Sequence, residues 1–244
     1  MNLEIIAMKI GSKTVQQLNR MNLQWNQGDH VLITGPTKSG KTELARQLDE
    51  IRIQRGGNVI CFVCKLQPDE TIVKSYKGWT RWTTWKKRVG VHENKILFWP
   101  KVEGLNMSQA TSIMKAEFAY AFEELSKIGK WTVHIDEGLF VTHPRFLNLG
   151  DELGMMYSLI RSAKGTMITL AQRPSHLPLS IYANVSHAFV GRASETADLK
   201  RLADMDSTLP ARELSKIIRS NKLHDFTWVQ LGSDSPPEQV NLAH

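Results

Sequence analysis

Residues 35–42 restrict what this chain can fold into more than any other segment. Their sequence is GPTKSGKT, which satisfies every fixed position of the pattern G-x-x-x-x-G-K-[ST]. The apolar run His30–Thr34 before it is typical of a buried strand, and residues 41–55 after it carry apolar side chains at helical spacing. A glycine-rich loop between a strand and a helix presents backbone N–H groups and the positive end of the helix to an anion. The segment therefore predicts a phosphate-binding loop within an α/β fold.

The residue types within this loop predict their roles. Gly35 and Gly40 allow the backbone to curl so that successive N–H groups point at phosphate oxygens. Lys41 is expected to contact the β- and γ-phosphates as a catalytic residue, and the Thr42 hydroxyl is expected to bind Mg²⁺. Two ligands are predicted: a nucleoside triphosphate, which we expect to be ATP, and Mg²⁺. The residues predicted to bind the nucleotide are Gly35, Pro36, Thr37, Lys38, Ser39, Gly40, Lys41 and Thr42.

Two carboxylates follow a later strand-like run, in the segment WTVHIDE at residues 131–137. Asp136 is predicted to bind Mg²⁺, directly or through water. Glu137 is predicted to orient or deprotonate the attacking water, which is the work of a general base. Acidic strand ends are common, so the pair gains its meaning from the complete phosphate loop earlier in the chain.

A third segment, MITLAQRP at residues 167–174, places a polar amide after a strand. The carboxyl ends of parallel strands form the edge of the sheet where ligands bind. Gln172 is therefore a candidate catalytic residue that senses the γ-phosphate or positions water. The alternative is an ordinary loop contact at the end of a strand.

Strand-like and helix-like segments alternate along the chain, which predicts a mostly parallel sheet with helices on both faces. We expect one domain over residues 1–244, with a core at 28–205 and a C-terminal extension at 206–244 whose last ten residues form a loose tail. The predicted strands are 30–34, 59–64, 95–98, 132–136, 167–171, 187–190 and 226–231. The predicted helices are 41–55, 108–127, 150–163, 195–203 and 211–219.

Composition narrows the class of protein. The chain has a net charge of +7, which suits either a polyanion partner or simple solubility. No apolar run is long enough to span a membrane, so we expect a cytoplasmic protein without a membrane partner. Cys61 and Cys64 form a C-x-x-C in a strand-like run, where alternation would point them to opposite faces. We therefore interpret them as reduced core residues.

The stretch 68–91 interleaves basic residues with Trp79, Trp82 and Trp85. Such a mixture suits stacking on a single nucleic-acid strand or a loop that follows phosphates. The alternative is a solvated basic face whose tryptophans pack inward. The spacing of three is typical of one face of a helix, which favours packing for some of them.

Taken in order, the three motifs resemble the FtsK/HerA superfamily of RecA-like DNA-pumping ATPases. Residues 158–175 contain R-x-x-x-G and then TLAQRPS, similar to the family's ARA-x-G and ATQRPS. Residues 63–65, VCK, stand where the family has a strand ending in DPK. Residues 181–192 are similar to I-x-AN-x-P … R-x-AFRV, with Gly191 where arginine or phenylalanine is common. The similarity spans approximately residues 28–205.

This resemblance implies a RecA-like P-loop NTPase core that couples ATP hydrolysis to the movement of double-stranded DNA in a homo-oligomeric ring. The modest length favours a viral genome-packaging motor in the host cytoplasm, with a portal or capsid vertex as a further partner. A plasmid-transfer ATPase or a helicase of the same superfamily stays open. So does a slow nucleotide-switched DNA-binding or assembly protein. A GTPase switch is disfavoured, because NKLH at residues 221–224 lacks the aspartate of N-K-x-D.

The resemblance also implies a catalytic arginine supplied by a neighbouring subunit. Arg161 best matches that position, with Arg173 and Arg192 as rivals, and the alternative is that Arg161 is a plain surface residue. Basic residues that could hold DNA phosphates form two groups. They are Lys86, Lys87 and Arg88, and Arg212, Lys216, Arg219 and Lys222.

Overall fold

The computed structural model describes residues 25–67, 69–85, 93–205 and 211–242. Within these ranges the chain forms a sheet of nine strands in the order β3-β4-β2-β5-β6-β1-β7-β8-β9. The strands are β1 His30–Thr34, β2 Asn58–Phe62, β3 Thr80–Trp82, β4 Lys95–Phe98, β5 Trp131–Ile135, β6 Thr166–Ala171, β7 Val185–Val190, β8 Asp225–Gln230 and β9 Glu238–Asn241. In this order every neighbouring pair from β3 across to β7 is parallel, and the β7–β8 and β8–β9 pairs are antiparallel. The predicted mostly parallel sheet is confirmed.

Helices connect the strands, with a 3₁₀ turn at Pro174–His176. They are α1 Lys41–Gln54, α2 Glu70–Ser75, α3 Met107–Ile128, α4 Gly138–Thr142, α5 Gly150–Ser162, α6 Leu179–Tyr182, α7 Thr196–Ala203 and α8 Ala211–Ser220. None of these helices combines the length and the apolar character needed to cross a membrane.

Both faces of the sheet are covered, as its central strand shows. Every residue of β1 is buried, which is typical of a parallel strand between two helical layers. Val31 and Ile33 pack in one cluster with Leu44 of α1. Leu32 points the other way, into the cluster that contains Phe118 of α3. The predicted arrangement of helices on both faces is confirmed.

The prediction of a loose tail over the last ten residues is wrong. β9 pairs with β8, and the side chains of Val240 and Leu242 are buried. Gly232, with φ of +70°, lies in the turn between the two strands. Alternate residues of this short edge strand reach the core, but two preceding prolines conceal the pattern in the sequence. The extension thus contributes two strands to the same sheet.

The tryptophan stretch is not a helical face. Trp82 lies in β3 and is buried, while Trp85 packs edge-to-face against it and against Phe98. Trp79 packs edge-to-face on Tyr76. Packing inward is confirmed for these rings, and the interpretation as a stacking platform for a nucleic-acid strand loses its support. Lys86, Lys87 and Arg88 lie outside the described residues.

Both cysteines are free and buried. Cys61 lies in the cluster that contains Leu97, and Cys64 lies in the cluster that contains Phe62. These clusters are on opposite faces of the sheet, so the prediction of separate, reduced core positions is confirmed.

Candidate active site

The phosphate loop leaves β1 between two strands that fix its base. The Gly35 N–H donates to Ala171 O of β6 at 3.2 Å, and the Gly191 N–H donates to Thr34 O at 2.7 Å. A Cβ atom at Gly191 would lie 3.2 Å from Thr34 O and 3.3 Å from the Gly35 Cα. A larger side chain at Gly191, of the kind common in the segments it resembles, would require the backbone at the base of the loop to shift by a few tenths of an ångström.

Within the loop, the backbone alternates between left-handed and ordinary conformations. Lys38 has φ of +65° and Gly40 has φ of +93°. This alternation turns successive N–H groups toward one concave side, which makes an anion-binding nest. α1 begins directly after Gly40 with no side-chain cap, so its first N–H groups can serve a phosphate. The loop therefore has the backbone geometry that the motif predicts for an anion site.

The Lys41 ammonium lies over the mouth of the loop. Its Nζ donates to Gly35 O at 2.8 Å and to Pro36 O at 3.0 Å. Burial lowers the pKa of Lys41, and the negative charges of Glu137 and Asp136 oppose that shift. Lys41 therefore lies between the loop carbonyls and the two carboxylates.

Asp136 and Glu137 lie at the carboxyl end of β5, as the sequence predicts. The Asp136 N–H donates to Phe62 O of β2 at 3.3 Å. Burial raises the pKa of the Asp136 carboxyl, while the positive charges of Lys65 and Lys41 lower it. A divalent cation beside Asp136 would act in the same direction as those lysines and keep the carboxyl ionised.

Glu137 caps the short helix α4, since its Oε1 accepts the Leu139 N–H at 3.4 Å. Its other oxygen, Oε2, accepts the side-chain amide of Gln172 at 3.3 Å. Burial raises the pKa of Glu137, and both hydrogen bonds counteract that rise. The contact to Gln172 favours a catalytic interpretation of this amide over an ordinary loop contact, because it reaches the predicted general base.

Gly138 allows this arrangement and was missed in the sequence. A Cβ atom there would lie 2.7 Å from Leu177 Cδ2 and 2.9 Å from Thr169 Cγ2. The glycine therefore lets α4 close against β6, which brings Glu137 within reach of Gln172. A small residue directly after the acidic pair was the available signal.

A buried polar network lies beneath the carboxylates. His134 of β5 has its Nδ1 2.8 Å from Asp49 Oδ2 of α1 and 3.3 Å from the Tyr76 hydroxyl. Burial by itself would lower the pKa of His134, but Cys61 and Asp49 beside it raise that pKa well above its usual value. Because β5 carries Asp136 and α1 carries Lys41, this histidine–aspartate pair fixes the two halves of the site relative to each other.

A cavity of about 460 Å³ joins these groups. Lys41, Thr42, Asp136, Glu137 and Gln172 all line it, together with the loop residues Thr37 and Lys38. Its size suits the triphosphate of a nucleotide. A threonine hydroxyl and a carboxylate are hard oxygen ligands of the kind that Mg²⁺ takes, so the residues present fit that ion.

Lys65 and Asp69 also line this cavity and were missed as site residues. Lys65 follows β2, and Asp69 caps α2 by accepting the Thr71 N–H at 2.9 Å. The position of Lys65 at the end of the VCK segment was a signal, because the neighbouring strand delivers it to the same edge as Asp136.

The three candidate arginines lie in different places. Arg161 lies in the last turn of α5 beside Gly28, which precedes β1, and therefore at the opposite edge of the sheet from the phosphate loop. Arg173 is held by its own chain, since its Nε donates to Asp198 Oδ2 at 3.1 Å and its Nη2 to Glu195. Arg192 is exposed and lines a cavity of about 280 Å³ that also touches Gly35 and Pro36. One subunit does not bring Arg161 to the other site residues.

No protein-family model matches this sequence, and no curated protein does. Solved structures match the fold. The DNA-packaging ATPase B204 from Sulfolobus turreted icosahedral virus has a TM-score of 0.66, with 16% identity over 90% of this chain and 100% of that chain. The genome packaging NTPase B204 from Sulfolobus turreted icosahedral virus 2, in complex with ATP-gammaS, has a TM-score of 0.64, with 15% identity over 89% of this chain and 98% of that chain.

VirB4 of Thermoanaerobacter pseudethanolicus has a TM-score of 0.63, with 11% identity over 88% of this chain and 89% of that chain. At these identities the likeness is one of fold. The fold is that of P-loop NTPases, which confirms the fold predicted from the motifs.

Proposed function

We propose that this chain is an ATPase of the FtsK/HerA type that moves double-stranded DNA, as a genome-packaging motor acting in a homo-oligomeric ring. The observation that carries the proposal is the contact of Gln172 with Glu137 beside a complete phosphate loop. The fold likeness to a DNA-packaging ATPase supports it, because that likeness extends over 100% of the other chain.

Hydrolysis follows from the placement of this chain's own groups. The loop N–H groups and Lys41 would hold the phosphates, and Glu137 would take a proton from the attacking water. Gln172 fixes the Glu137 carboxylate and could hold the same water. Mg²⁺, held by Thr42 and Asp136, would neutralise charge on the phosphate oxygens. The site thus has a general base, an anion cradle and a metal position.

Ring assembly is proposed because none of the described residues that line the hydrolytic cavity is an arginine. Arg173 is paired within the chain, and Arg161 lies at the opposite edge of the sheet. An arginine from a neighbour would supply transition-state stabilisation worth roughly 10³–10⁵ in rate. A net charge of +7 suits a polyanion such as DNA, and a portal or capsid vertex is the further partner that packaging requires.

The test is ATP turnover measured against protein concentration, with and without linear duplex DNA. We expect turnover per subunit to rise steeply with concentration and again with duplex. Displacement of a third strand from a triplex at the far end of the duplex reports movement along it. Separation of a forked duplex would instead indicate the helicase alternative. Slow ATP turnover that does not change when DNA is added would indicate the nucleotide-switched assembly protein.

A further inference from the structure

A second cavity adjoins the phosphate loop on the side away from the carboxylates. It measures about 280 Å³ and is lined by loop residues together with His224 and Leu242 of the C-terminal extension. Lys38, Lys41 and Thr42 line both this cavity and the larger one that contains Glu137. The two cavities therefore meet across the loop.

The order of the sheet determines what each side can hold. β5 and β6, which deliver Glu137 and Gln172, lie on one side of β1, whereas β7, β8 and β9 lie on the other. The phosphate to be cleaved must lie beside Glu137. The nucleoside part of the same nucleotide would then lie on the other side of the loop, toward β8 and β9, where the second cavity opens.

The wall formed by His224 and Leu242 is held firmly. The His224 Nδ1 lies 3.3 Å from Ser39 O, and the Leu242 N–H donates to His224 O at 3.1 Å. Leu242 is buried in the same cluster as Leu44 of α1. A Cβ atom at Gly40 would lie 2.4 Å from Leu242 Cδ1, so the loop and this wall are in direct contact.

We propose that this cavity is the nucleoside subsite, in which the base and ribose of the bound nucleotide pack against the His224 imidazole above an apolar floor at Leu242. This rests on the proposed function. A histidine ring offers a base a stacking surface, since bases stack on aromatic side chains in proteins.

The side chains around the cavity favour recognition of the base by ring contact. Among the described residues that line it there is no carboxylate to accept the N–H donors of guanine. Asn221, which starts the NKLH segment, is buried and donates to Val190 O at 2.9 Å and to Thr227 Oγ1 at 3.0 Å. It is a structural residue of the sheet, and the only NKLH side chain on the cavity wall is His224.

The test compares two probes, ATP and inorganic tripolyphosphate, each with Mg²⁺, by calorimetric titration of the full chain. His224→Asn removes the ring but suits the left-handed backbone at this residue, where φ is +71°. We expect ATP to bind at least about fivefold more weakly, and tripolyphosphate to bind within about twofold of wild type. His143→Asn, at a half-buried histidine outside the cavity, should change neither affinity.

Equal weakening of both probes, or no change in either, would overturn the subsite. Wild-type protein that binds neither probe would reject the proposed nucleotide-dependent function together with the subsite. His224→Gly also suits the backbone angle, so it gives the same comparison should the asparagine variant fail to fold.

Discussion

The side-chain amide of Gln172 donates to Oε2 of Glu137 across 3.3 Å and so joins the ends of the neighbouring strands β6 and β5. The residue that could sense a phosphate thus touches the residue predicted to activate water. The contact depends on the sheet, because the two residues are 35 positions apart in the sequence.

Replacing Glu137 by glutamine should separate nucleotide binding from hydrolysis. The amide keeps the shape of the side chain but cannot accept a proton, so we expect turnover to fall by about 100-fold or more. The affinity for ATP should stay close to that of wild type, because Lys41 and the loop are unchanged. Steady-state ATPase assays and titration with ATP measure the two effects. Glu152→Gln, at an exposed carboxylate of α5, should change neither.

Replacing Gln172 by methionine should affect turnover more than binding. Methionine keeps the length of the side chain but cannot donate to Glu137, so the carboxylate loses its orientation. We expect kcat to fall about tenfold or more with little change in KM. A rise in KM of about tenfold with kcat unchanged would instead show that Gln172 only binds substrate. Gln54→Met, at an exposed glutamine late in α1, is the matched control.

Mixing Arg161→Ala with Glu137→Gln protein tests whether Arg161 acts in trans. Each variant alone should be inactive. In a ring with random 1:1 mixing, about a quarter of the shared sites combine an intact Glu137 with an intact Arg161 from the neighbour, and activity should return in that proportion. An absence of rescue at every ratio would reject the role. Arg145→Ala, at an exposed arginine, should retain activity alone.

The same mixture made with Arg192→Ala distinguishes the rival. Because Arg161 lies at the opposite edge of the sheet from the loop, its action in trans requires a neighbour that presents that edge to the nucleotide. Arg192 already lies beside the loop. If activity returns in the mixture with Arg192→Ala and not in the mixture with Arg161→Ala, Arg192 is the arginine that acts in trans. The neighbour in the ring would then present the loop edge of its sheet to the nucleotide.

Acid should destabilise the protein through two buried histidines. Burial lowers the pKa of His30 and of His187 from 6.5 to about 4. The Met167 N–H donates to Nδ1 of His30, so a proton there would face another donor. Both histidines are neutral in the folded state, and the unfolded chain binds protons first as the pH falls below 6.5. Stability is therefore intact above that pH and is lost toward pH 4, by up to about 1.4 kcal/mol per pH unit for each histidine.

His187→Phe should remove part of this acid sensitivity. The ring stacks on Trp228, and its Nδ1 has no hydrogen-bond partner in the described part of the chain, so an apolar ring can replace it. The difference in free energy of unfolding between the variant and wild type should shift in favour of the variant by about 2 kcal/mol between pH 7 and pH 5. Denaturant unfolding across pH 4–7 measures this gain. A slope unaltered by His187→Phe would contradict the assignment.

Local patterns were enough to predict the phosphate loop, the two carboxylates and Gln172. Each follows a strand directly, and the ends of parallel strands meet at one edge of the sheet. Lys65 reaches the same edge, but a single lysine after a strand has no pattern of its own. Gly138 was missed for a related reason, because only its neighbours in space show that a side chain would not fit.

The C-terminal extension was harder to predict because its contacts are distant in sequence. His224 meets Ser39 across 185 positions. β9 has only four residues and gains its stability from pairing with β8 and from the buried Val240. The tryptophans illustrate the opposite error, since a spacing of three suited a helix whereas tertiary packing placed Trp82 in a strand.

The hydrogen bonds at the base of the phosphate loop bear on how this site could generate motion. Gly35 is tied to β6, and Thr34 accepts a hydrogen bond from Gly191 beyond β7, so the start of the loop is anchored on both sides. A loop held in this way loses little conformational entropy when phosphate enters, and it serves as a rigid mould. On the proposed function, a displacement driven by hydrolysis would then begin at the ends of β5 and β6, where Glu137 and Gln172 meet, and not in the loop.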